Sequence, residues 1–247
     1  MAIVHIHIER TGGIALQQLY SKKYPGPEMV WYGVRDTLFA PFTIRTANYT
    51  EDWHLKLYAL LAAHFPRIRH LMLRVRAWRR RQHSIKPEDL AKKAELVIGH
   101  FAAAQMLPYL PTGEHSYRTV VREPLDRMWS HYSYWLIHKG DVGHRAIPQY
   151  RADMSFEEFS LSPEMHNYQT QAVGPDITIY EYIGTTDQLE KFTRATGLLG
   201  STDVMPRINH FSKPIPDLSP DFLATFKKVH AADYALYAEA CQRMARL

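Results

Sequence analysis

A strand, a glycine turn and a helix follow one another at the start of this chain, and their order constrains the fold more than any other feature. Residues 3–8 are β-branched and apolar, with His5 and His7 interleaved in structural positions, which indicates a buried strand. Residues 14–20 carry apolar side chains on one helical face. The glycine turn between them (residues 9–13) combines two adjacent glycines with a cation. Such a turn suits a phosphate, and the alternative is a tight turn that uses glycine only for positive φ.

The composition favours one α/β domain with an anionic ligand. The chain has 247 residues, enough for a large core without a second domain. Its formal net charge of +5 suits an acidic ligand but is too modest to indicate nucleic acid. Cys241 is the single cysteine, so no intrachain disulfide is expected. The sequence has no leader pattern and no apolar run that could span a bilayer, which predicts a cytosolic protein without a membrane span.

Two further predicted strands end in residues that suit a binding site. Residues 94–101 indicate a buried strand that ends in Gly-His, and open α/β sheets bind ligands at the carboxyl ends of their strands. His100 is therefore well placed, although a single histidine is more often structural. Arg122 follows a strand at residues 117–121, and Pro124 indicates the start of a helix. An arginine fork here, with a hydroxyl on the following helix, could grip a second phosphate.

Residues 25–93 carry no diagnostic motif. Short β-prone pieces precede a helical pattern at 51–65. A basic run at 67–81 is either a solvated face or an electrostatic guide toward an acidic ligand. It lacks the aromatic ladder typical of proteins that bind single-stranded nucleic acid. Pro87 and the acidic residues after it indicate the start of another helix.

The order of these motifs resembles the sulfotransferases that depend on 3′-phosphoadenosine 5′-phosphosulfate (PAPS), in particular their carbohydrate and membrane-associated branch. The 5′-phosphosulfate loop of that branch usually reads P-K-T-G-G-T-S. This chain departs from it at four positions, which are Glu9, Arg10, Ile14 and Ala15. The 3′-phosphate motif of the family reads approximately R-[DE]-P-x-x-R-x-x-S-x-[YF]. The residues in register with it are Arg122, Glu123, Pro124, Arg127, Ser130 and Tyr132.

Later segments extend the resemblance to about residue 240 and leave only residues 25–93 unmatched. They are an N-x-Q-T segment near the acceptor cleft at 167–170, a strand followed by a helix at 180–189, and a late cofactor loop at 207–214. Thr186 or Asp187 is expected to cap the helix of the second segment. Pro220 is expected to open a final helix.

The resemblance implies an α/β, P-loop-like sulfotransferase fold, with one domain over residues 1–247 and a central, mainly parallel sheet flanked by helices. Residues 25–93 would form a variable helical insertion on the acceptor side. His100 would be the general base, Arg10 would replace the family's lysine beside the leaving phosphate, and Arg127 would brace its loop. The residues expected to bind the cofactor are Arg10, Thr11, Gly12, Gly13, Ile14, Ala15, Arg122, Ser130, Asn209, Ser212 and Lys213. Those expected near the acceptor are Asn167 and Gln169.

The implied activity is transfer of a sulfuryl group from PAPS to a hydroxyl or amine of a small molecule or glycan, which leaves 3′-phosphoadenosine 5′-phosphate (PAP). No metal is required, and the sequence offers no convincing metal-ligand cluster. Ile14 and Ala15 lack hydroxyls, and a lost charged hydrogen bond costs about 1.5–3 kcal/mol, so we expect weaker PAPS binding than in typical relatives. Two alternatives are a degenerate relative that binds a nucleotide or anion without transfer, and a small-molecule kinase. The missing Walker lysine and Ser/Thr disfavour the kinase.

Overall fold

A mainly parallel sheet forms the centre of the molecule. The computed structural model describes residues 1–24, 29–33, 44–46, 87–137, 153–206 and 214–247. The strands in these residues are β1 Ile3–Ile6, β2 Met29–Gly33, β3 Ile44–Thr46, β4 Leu96–His100, β5 Ser116–Val121 and β6 Tyr180–Thr185. Their order across the sheet is β3-β2-β4-β1-β5-β6. Four pairs of neighbouring strands are parallel, namely β2–β4, β4–β1, β1–β5 and β5–β6. The edge strand β3 pairs with β2 in the antiparallel sense.

Helices connect the strands and follow the last of them. In the described residues they are α1 Gly13–Lys23, α2 Leu90–Lys93, α3 Ala103–Met106, α4 Pro124–Ile137, α5 Phe156–Ser160, α6 Tyr168–Val173, α7 Leu189–Ala195, α8 Pro220–Val229 and α9 Ala231–Arg246. Single 3₁₀ turns lie at Pro87–Asp89, Pro163–Met165, Ile177–Ile179 and Thr186–Gln188. None of the helices in the described ranges combines the length and the apolar character that crossing a membrane requires.

The helices pack on both faces of the sheet, because successive side chains of a strand point to opposite faces. Adjacent residues of β4 illustrate the division. Val97 belongs to one apolar core together with Met128 of α4. Ile98 belongs to the other core together with Leu16 of α1 and Phe192 of α7. The predicted α/β fold, with a mainly parallel sheet flanked by helices, is therefore confirmed. The helix expected at 51–65 and the basic run at 67–81 lie outside the described residues.

Two local predictions need correction because tertiary contacts decide the local structure. Pro220 begins a helix, α8, as expected, but this helix is not the final one, since α9 follows it after a break at His230. The segment after β6 begins as the 3₁₀ turn Thr186–Gln188, and neither Thr186 nor Asp187 caps α7. The Thr186 hydroxyl instead donates a hydrogen bond to the carbonyl of Val121 at 3.1 Å. This contact joins the ends of β5 and β6.

The strand order brings three carboxyl ends to one part of the sheet edge. β1 lies between β4 and β5, and Ile6 is opposite both Gly99 and Thr119. In a doubly wound sheet, ligands bind outside the carboxyl ends of the strands where the strand order reverses. The glycine turn follows β1, His100 ends β4, and Arg122 follows β5. The fold therefore places these three features side by side.

Candidate functional site

The glycine turn presents backbone donors at the start of α1. Arg10 and Gly12 have φ values of 71° and 83°, in the left-handed region that a residue such as Arg10 adopts only when its surroundings impose it. The Thr11 hydroxyl donates to the carbonyl of Ile8 at 2.8 Å and closes the turn. Within the described residues, no group accepts a hydrogen bond from the backbone N–H groups of residues 12–14. These donors are therefore available to an oxyanion.

Gly13 is required for the close approach of a histidine ring. A Cβ atom at this position would lie 1.6 Å from Nε2 of His7. The requirement is one of space rather than of positive φ, which is a different reason from the one that the sequence suggests. The buried His7 ring also stacks on His100, with ring centroids 4.5 Å apart and an interplanar angle of 29°. His7 thus fixes the distance between the glycine turn and His100.

The backbone carbonyl of His7, the residue directly after β1, defines the tautomer of His100. His100 is half-buried at the end of β4, and its Nδ1 lies 2.9 Å from the carbonyl oxygen of His7. A carbonyl only accepts hydrogen bonds, so Nδ1 carries the proton. The lone pair of the neutral ring is then on Nε2, which is the nitrogen that can take a proton from an acceptor.

Arg10 connects the glycine turn to α4. Its Nε donates to the hydroxyl of Ser130 at 3.1 Å, and its guanidinium lies 4.8 Å from the centre of the Tyr134 ring. Burial lowers the pKa of Arg10 from its usual value, but a guanidinium remains charged at neutral pH. The structure thus brings together two residues expected to bind the cofactor from opposite ends of the site.

Gln169 holds the backbone of Arg122 in place. The Arg122 N–H donates to Oε1 of Gln169 at 2.9 Å, and Nε2 of Gln169 donates back to the Arg122 carbonyl at 2.8 Å. Gln169 is 0% exposed. Its side-chain amide, expected near the acceptor, is therefore engaged with the segment that follows β5.

Asn167, the other residue expected near the acceptor, forms a helix cap. Its Oδ1 accepts hydrogen bonds from the N–H groups of Ala232 and Asp233, at 3.0 and 3.2 Å. These are the first residues of α9, whose N–H groups have no partner within the helix. In the structure, Asn167 and Gln169 both position other elements, and their expected contact with an acceptor stays a prediction.

A polar cluster joins Glu9 of the glycine turn, whose side chain is 30% exposed, to buried side chains. Its members are Glu9, Arg127, His131 and Tyr168. The Tyr168 hydroxyl donates to Oε2 of Glu9 at 2.8 Å, and the Arg127 guanidinium lies 4.1 Å from the centre of the Tyr168 ring. The bracing role expected of Arg127 agrees with this position. The part played by Glu9 has no sequence signal, because its partner Tyr168 is 159 residues away.

Arg127 and His131 fix each other's hydrogen-bonding roles. Arg127 is 1% exposed and can only donate, so its Nη2 donates to Nδ1 of His131 at 2.9 Å. The proton of the neutral imidazole is then on Nε2, which lies 3.4 Å from Oε2 of Glu9. Burial lowers the pKa of His131 to about 3, so the ring is neutral at physiological pH.

Glu9 is an ionised carboxylate in this cluster. Burial alone raises the pKa of Glu9, but the surrounding groups outweigh burial and lower the pKa to about 2. The largest of these effects comes from His131, whose ring is itself protonated in the acid range where Glu9 titrates. The hydroxyl of Tyr168 and the charge of Arg127 act in the same direction. The negative charge of Glu9 is therefore directed to His131, Tyr168 and Arg127 rather than to the donors at the start of α1.

Five of the residues expected to bind the cofactor remain, and two of them, Ile14 and Ala15, lie in described parts of the chain. Ile14 is 47% exposed and Ala15 is buried, and both belong to the first turn of α1. Asn209, Ser212 and Lys213 lie outside the described residues, so their expected contacts with the cofactor stay predictions.

No family model matches the chain, and no curated protein matches it. Over the described ranges, no group of three or more His, Cys, Asp or Glu side chains is arranged to hold a metal ion. These comparisons therefore assign no chemistry to the site.

Proposed function

We propose that this chain is a PAPS-dependent sulfotransferase with a P-loop-like sulfotransferase fold. The observation that carries the proposal is the meeting of the glycine turn, His100 and Arg122 at the carboxyl ends of three adjacent parallel strands. These are the groups that the resemblance assigns to the 5′-phosphate, to the general base and to the 3′-phosphate. The acceptor is a hydroxyl or amine of a small molecule or glycan.

The donors at this edge fit a ligand with two separate phosphates. The N–H groups of residues 12–14 and the cation of Arg10 suit the 5′-phosphate, since both kinds of donor stabilise oxyanions. Arg122 directly follows the neighbouring strand β5, Ser130 lies on the helix after it, and both suit the 3′-phosphate. The hydrogen bond from Arg10 to Ser130 joins these two sets of donors. PAPS carries a phosphate at each of these two positions.

The residues have complementary roles in the proposed reaction. PAPS, when bound, supplies an activated sulfuryl group attached to a phosphate leaving group. His100 accepts the proton of the acceptor at Nε2, because its Nδ1 proton faces the His7 carbonyl. Arg10 and the N–H groups of the glycine turn stabilise the negative charge that develops on the leaving phosphate. Stacking against His7 orients the base.

Calorimetric titration with PAP, with adenosine 5′-phosphate as the comparison ligand, tests the cofactor assignment. We expect clear preference for PAP, and we expect Arg122→Ala to lose about 1.5–3 kcal/mol of PAP binding with little change for adenosine 5′-phosphate. Arg246→Ala removes an exposed arginine at the end of α9 and controls for the change in net charge. Equal binding of both nucleotides by the unaltered protein would contradict the proposal.

Transfer is tested separately with labelled PAPS and a panel of hydroxyl and amine acceptors. Removing a general base typically lowers the rate by about 10²–10⁴-fold, so His100→Ala is expected to lose transfer to that degree while it still binds PAP. A variant that binds PAP normally and transfers at the unaltered rate would exclude His100 as the base.

A second candidate is nucleotide or anion binding without transfer. The observation that favours it is the first turn of α1, where Ile14 is exposed and Ala15 is buried, and neither supplies a hydroxyl to a phosphate. This candidate predicts PAP binding by the unaltered protein but no labelled product with any acceptor. The small-molecule kinase is separated from both by its dependence on Mg²⁺.

A further inference from the structure

The N-terminus of α6 contacts both phosphate-binding segments of the proposed site. The hydroxyl of Tyr168 donates to Glu9 in the glycine turn at 2.8 Å. The next residue, Gln169, makes both of its side-chain hydrogen bonds with the backbone of Arg122. Two consecutive side chains of one short helix therefore hold the segment after β1 and the segment after β5.

α6 depends on Asp233 for its own position. A helix of six residues is too short to be stable by itself. Asp233 is 1% exposed, and its carboxylate accepts hydrogen bonds from the N–H groups of Gln169 and Thr170 at 3.2 and 2.8 Å. It also accepts a hydrogen bond from the Thr170 hydroxyl at 2.8 Å. A carboxylate at this position satisfies orphan donors and the positive end of the helix dipole.

The cap is reciprocal. Asn167, which precedes α6, accepts hydrogen bonds from the N–H groups of Ala232 and Asp233 at the start of α9. Its φ of 47° is in the left-handed region, which asparagine tolerates better than most residues. Each helix is thus capped by a residue of the other. The exchange fixes the N-terminus of α6 relative to the C-terminal helix.

We propose that Asp233 is a positioning residue for the phosphate-binding segments, and that it acts through α6 on Arg122 and on the glycine turn. The identity of the ligand used to test it rests on the proposed function, but the positioning does not. A cap that served only stability would change the unfolding of the protein without changing the local order of Arg122. If Asp233 instead acts through Gln169, loss of the cap also reduces the local order of Arg122.

Hydrogen exchange of the Arg122 amide tests the path without any ligand. Asp233→Asn keeps one oxygen acceptor but removes the other and the charge. We expect the Arg122 amide, which donates to Gln169, to exchange about tenfold faster, the scale of one net hydrogen bond. Ser155→Ala is the matched control, because it removes the capping box of α5, and the contacts of the Ser155 side chain lie within that box. The control is expected to lower stability and leave Arg122 exchange unchanged.

A double-mutant cycle tests whether Gln169 carries the effect. Gln169→Met removes the bonds to Arg122 at similar volume, so adding Asp233→Asn to it is expected to change Arg122 exchange little further. Thr170→Val, which removes a single hydrogen bond to Asp233, gives a milder test and is expected to accelerate the same amide, should Asp233→Asn fail to fold. Unchanged Arg122 exchange in Asp233→Asn, or additive effects in the cycle, would overturn the proposal.

Titration with PAP and adenosine 5′-phosphate gives the readout at the site. If Asp233 positions Arg122, Asp233→Asn is expected to reduce PAP affinity about tenfold and to lower the ratio of PAP to adenosine 5′-phosphate affinity, as one weakened charged contact would. Suppose that the Arg122 amide of Asp233→Asn exchanges faster but the ratio of PAP to adenosine 5′-phosphate affinity is unchanged. This result would overturn the positioning role of Asp233 at the site. If the unaltered protein does not prefer PAP, the proposed function fails, and the exchange experiment alone decides the role of Asp233.

Discussion

His7 shows how closely single residues are matched around the site. Its ring occupies the space that a side chain at Gly13 would need, and it stacks on His100. Its backbone carbonyl also faces Nδ1 of His100. One residue directly after β1 therefore sets the glycine turn, the orientation of the proposed base and its tautomer.

Gly13→Ala is expected to lower the free energy of unfolding by about 1–3 kcal/mol, the usual cost of overpacking. The added methyl group would overlap His7 Nε2, so His7→Ala in the same chain should restore part of the loss. Urea denaturation of both single variants and the double variant measures the coupling. Additive losses would mean that the two residues are not in steric conflict.

Glu9 makes a prediction for acid solution. Its pKa is lowered to about 2 in the folded protein, below the ordinary value of 4.5. The carboxylate therefore stabilises the fold above pH 4.5, and this contribution is lost as pH falls toward 2. We expect the stability difference between the unaltered protein and Glu9→Gln to be largest at neutral pH and to narrow below pH 4.5. A difference that is constant with pH in denaturation experiments would contradict the assignment.

At the scale of elements, β6 and α7 pack closely where β6 has a glycine, Gly184. A Cβ at Gly184 would lie 2.4 Å from Cδ2 of Phe192, a fully buried residue of α7. β6 is the edge strand next to β5, so α7 can cover this end of the sheet only where the strand has no side chain. The close packing of α7 on the sheet therefore requires that residue 184 has no side chain.

Gly184→Ala is expected to move α7 away from the sheet and to cost about 1–3 kcal/mol. For a chain of this size, the melting temperature would fall by roughly 2–12 °C. Phe192→Leu provides the matched rescue, because the smaller side chain leaves room for the added methyl group. Calorimetric melting of the two single variants and their combination decides the matter, and failure of the combination to recover stability would contradict the packing argument.

Element types follow from local patterns, whereas breaks between elements do not. Alternating and β-branched apolar residues predict β1, β4 and β5, and Pro124 predicts the start of α4. The break between α8 and α9 has no such signal. His230 stands there because its Nε2 donates to the Ser160 carbonyl at 2.9 Å and its Nδ1 accepts from the Asn167 N–H at 3.3 Å. Both partners are more than 60 residues distant.

Across the whole molecule, buried histidines are a common feature. His5, His7, His131 and His230 are each at least 91% buried, and burial is the first cause that lowers their pKa values. The pKa values of His5 and His131 fall to about 3. These side chains stay neutral in the folded protein while the unfolded chain takes up protons near pH 6.5.

The protein is therefore expected to lose stability as pH falls below about 6.5, because the unfolded state then binds more protons than the folded state. The loss continues toward pH 3, where the buried rings of His5 and His131 would themselves protonate. Urea midpoints measured from pH 8 to pH 5 give the slope. His5→Phe should reduce the number of protons taken up on unfolding, which sets that slope, by about one. A urea midpoint that does not change between pH 8 and pH 5 would contradict the assignment of these buried histidines as neutral in the folded protein.

The same contrast between local and distant information applies to the candidate site. The positions of the glycine turn, His100, Arg122 and Ser130 could be predicted because each stands at a fixed offset from a strand or helix, whereas their roles stay predictions. Their neighbours could not be predicted, since Glu9 meets Tyr168 across 159 residues and Arg122 meets Gln169 across 47. Such contacts depend on the strand order and helix packing, to which local periodicity contributes little.

The central place of β1 has a consequence for how the chain is made. The partners of Ile3 are Leu96 and Ser116, which follow it by 93 and 113 residues. At a synthesis rate of about 5–20 residues per second, β1 leaves the ribosome roughly 6–23 s before its second neighbour is complete. Pairing across such separations is slow because distant chain segments must first be brought together. A nascent chain that carries the whole glycine turn therefore cannot place it beside Arg122 until β5 is paired with β1.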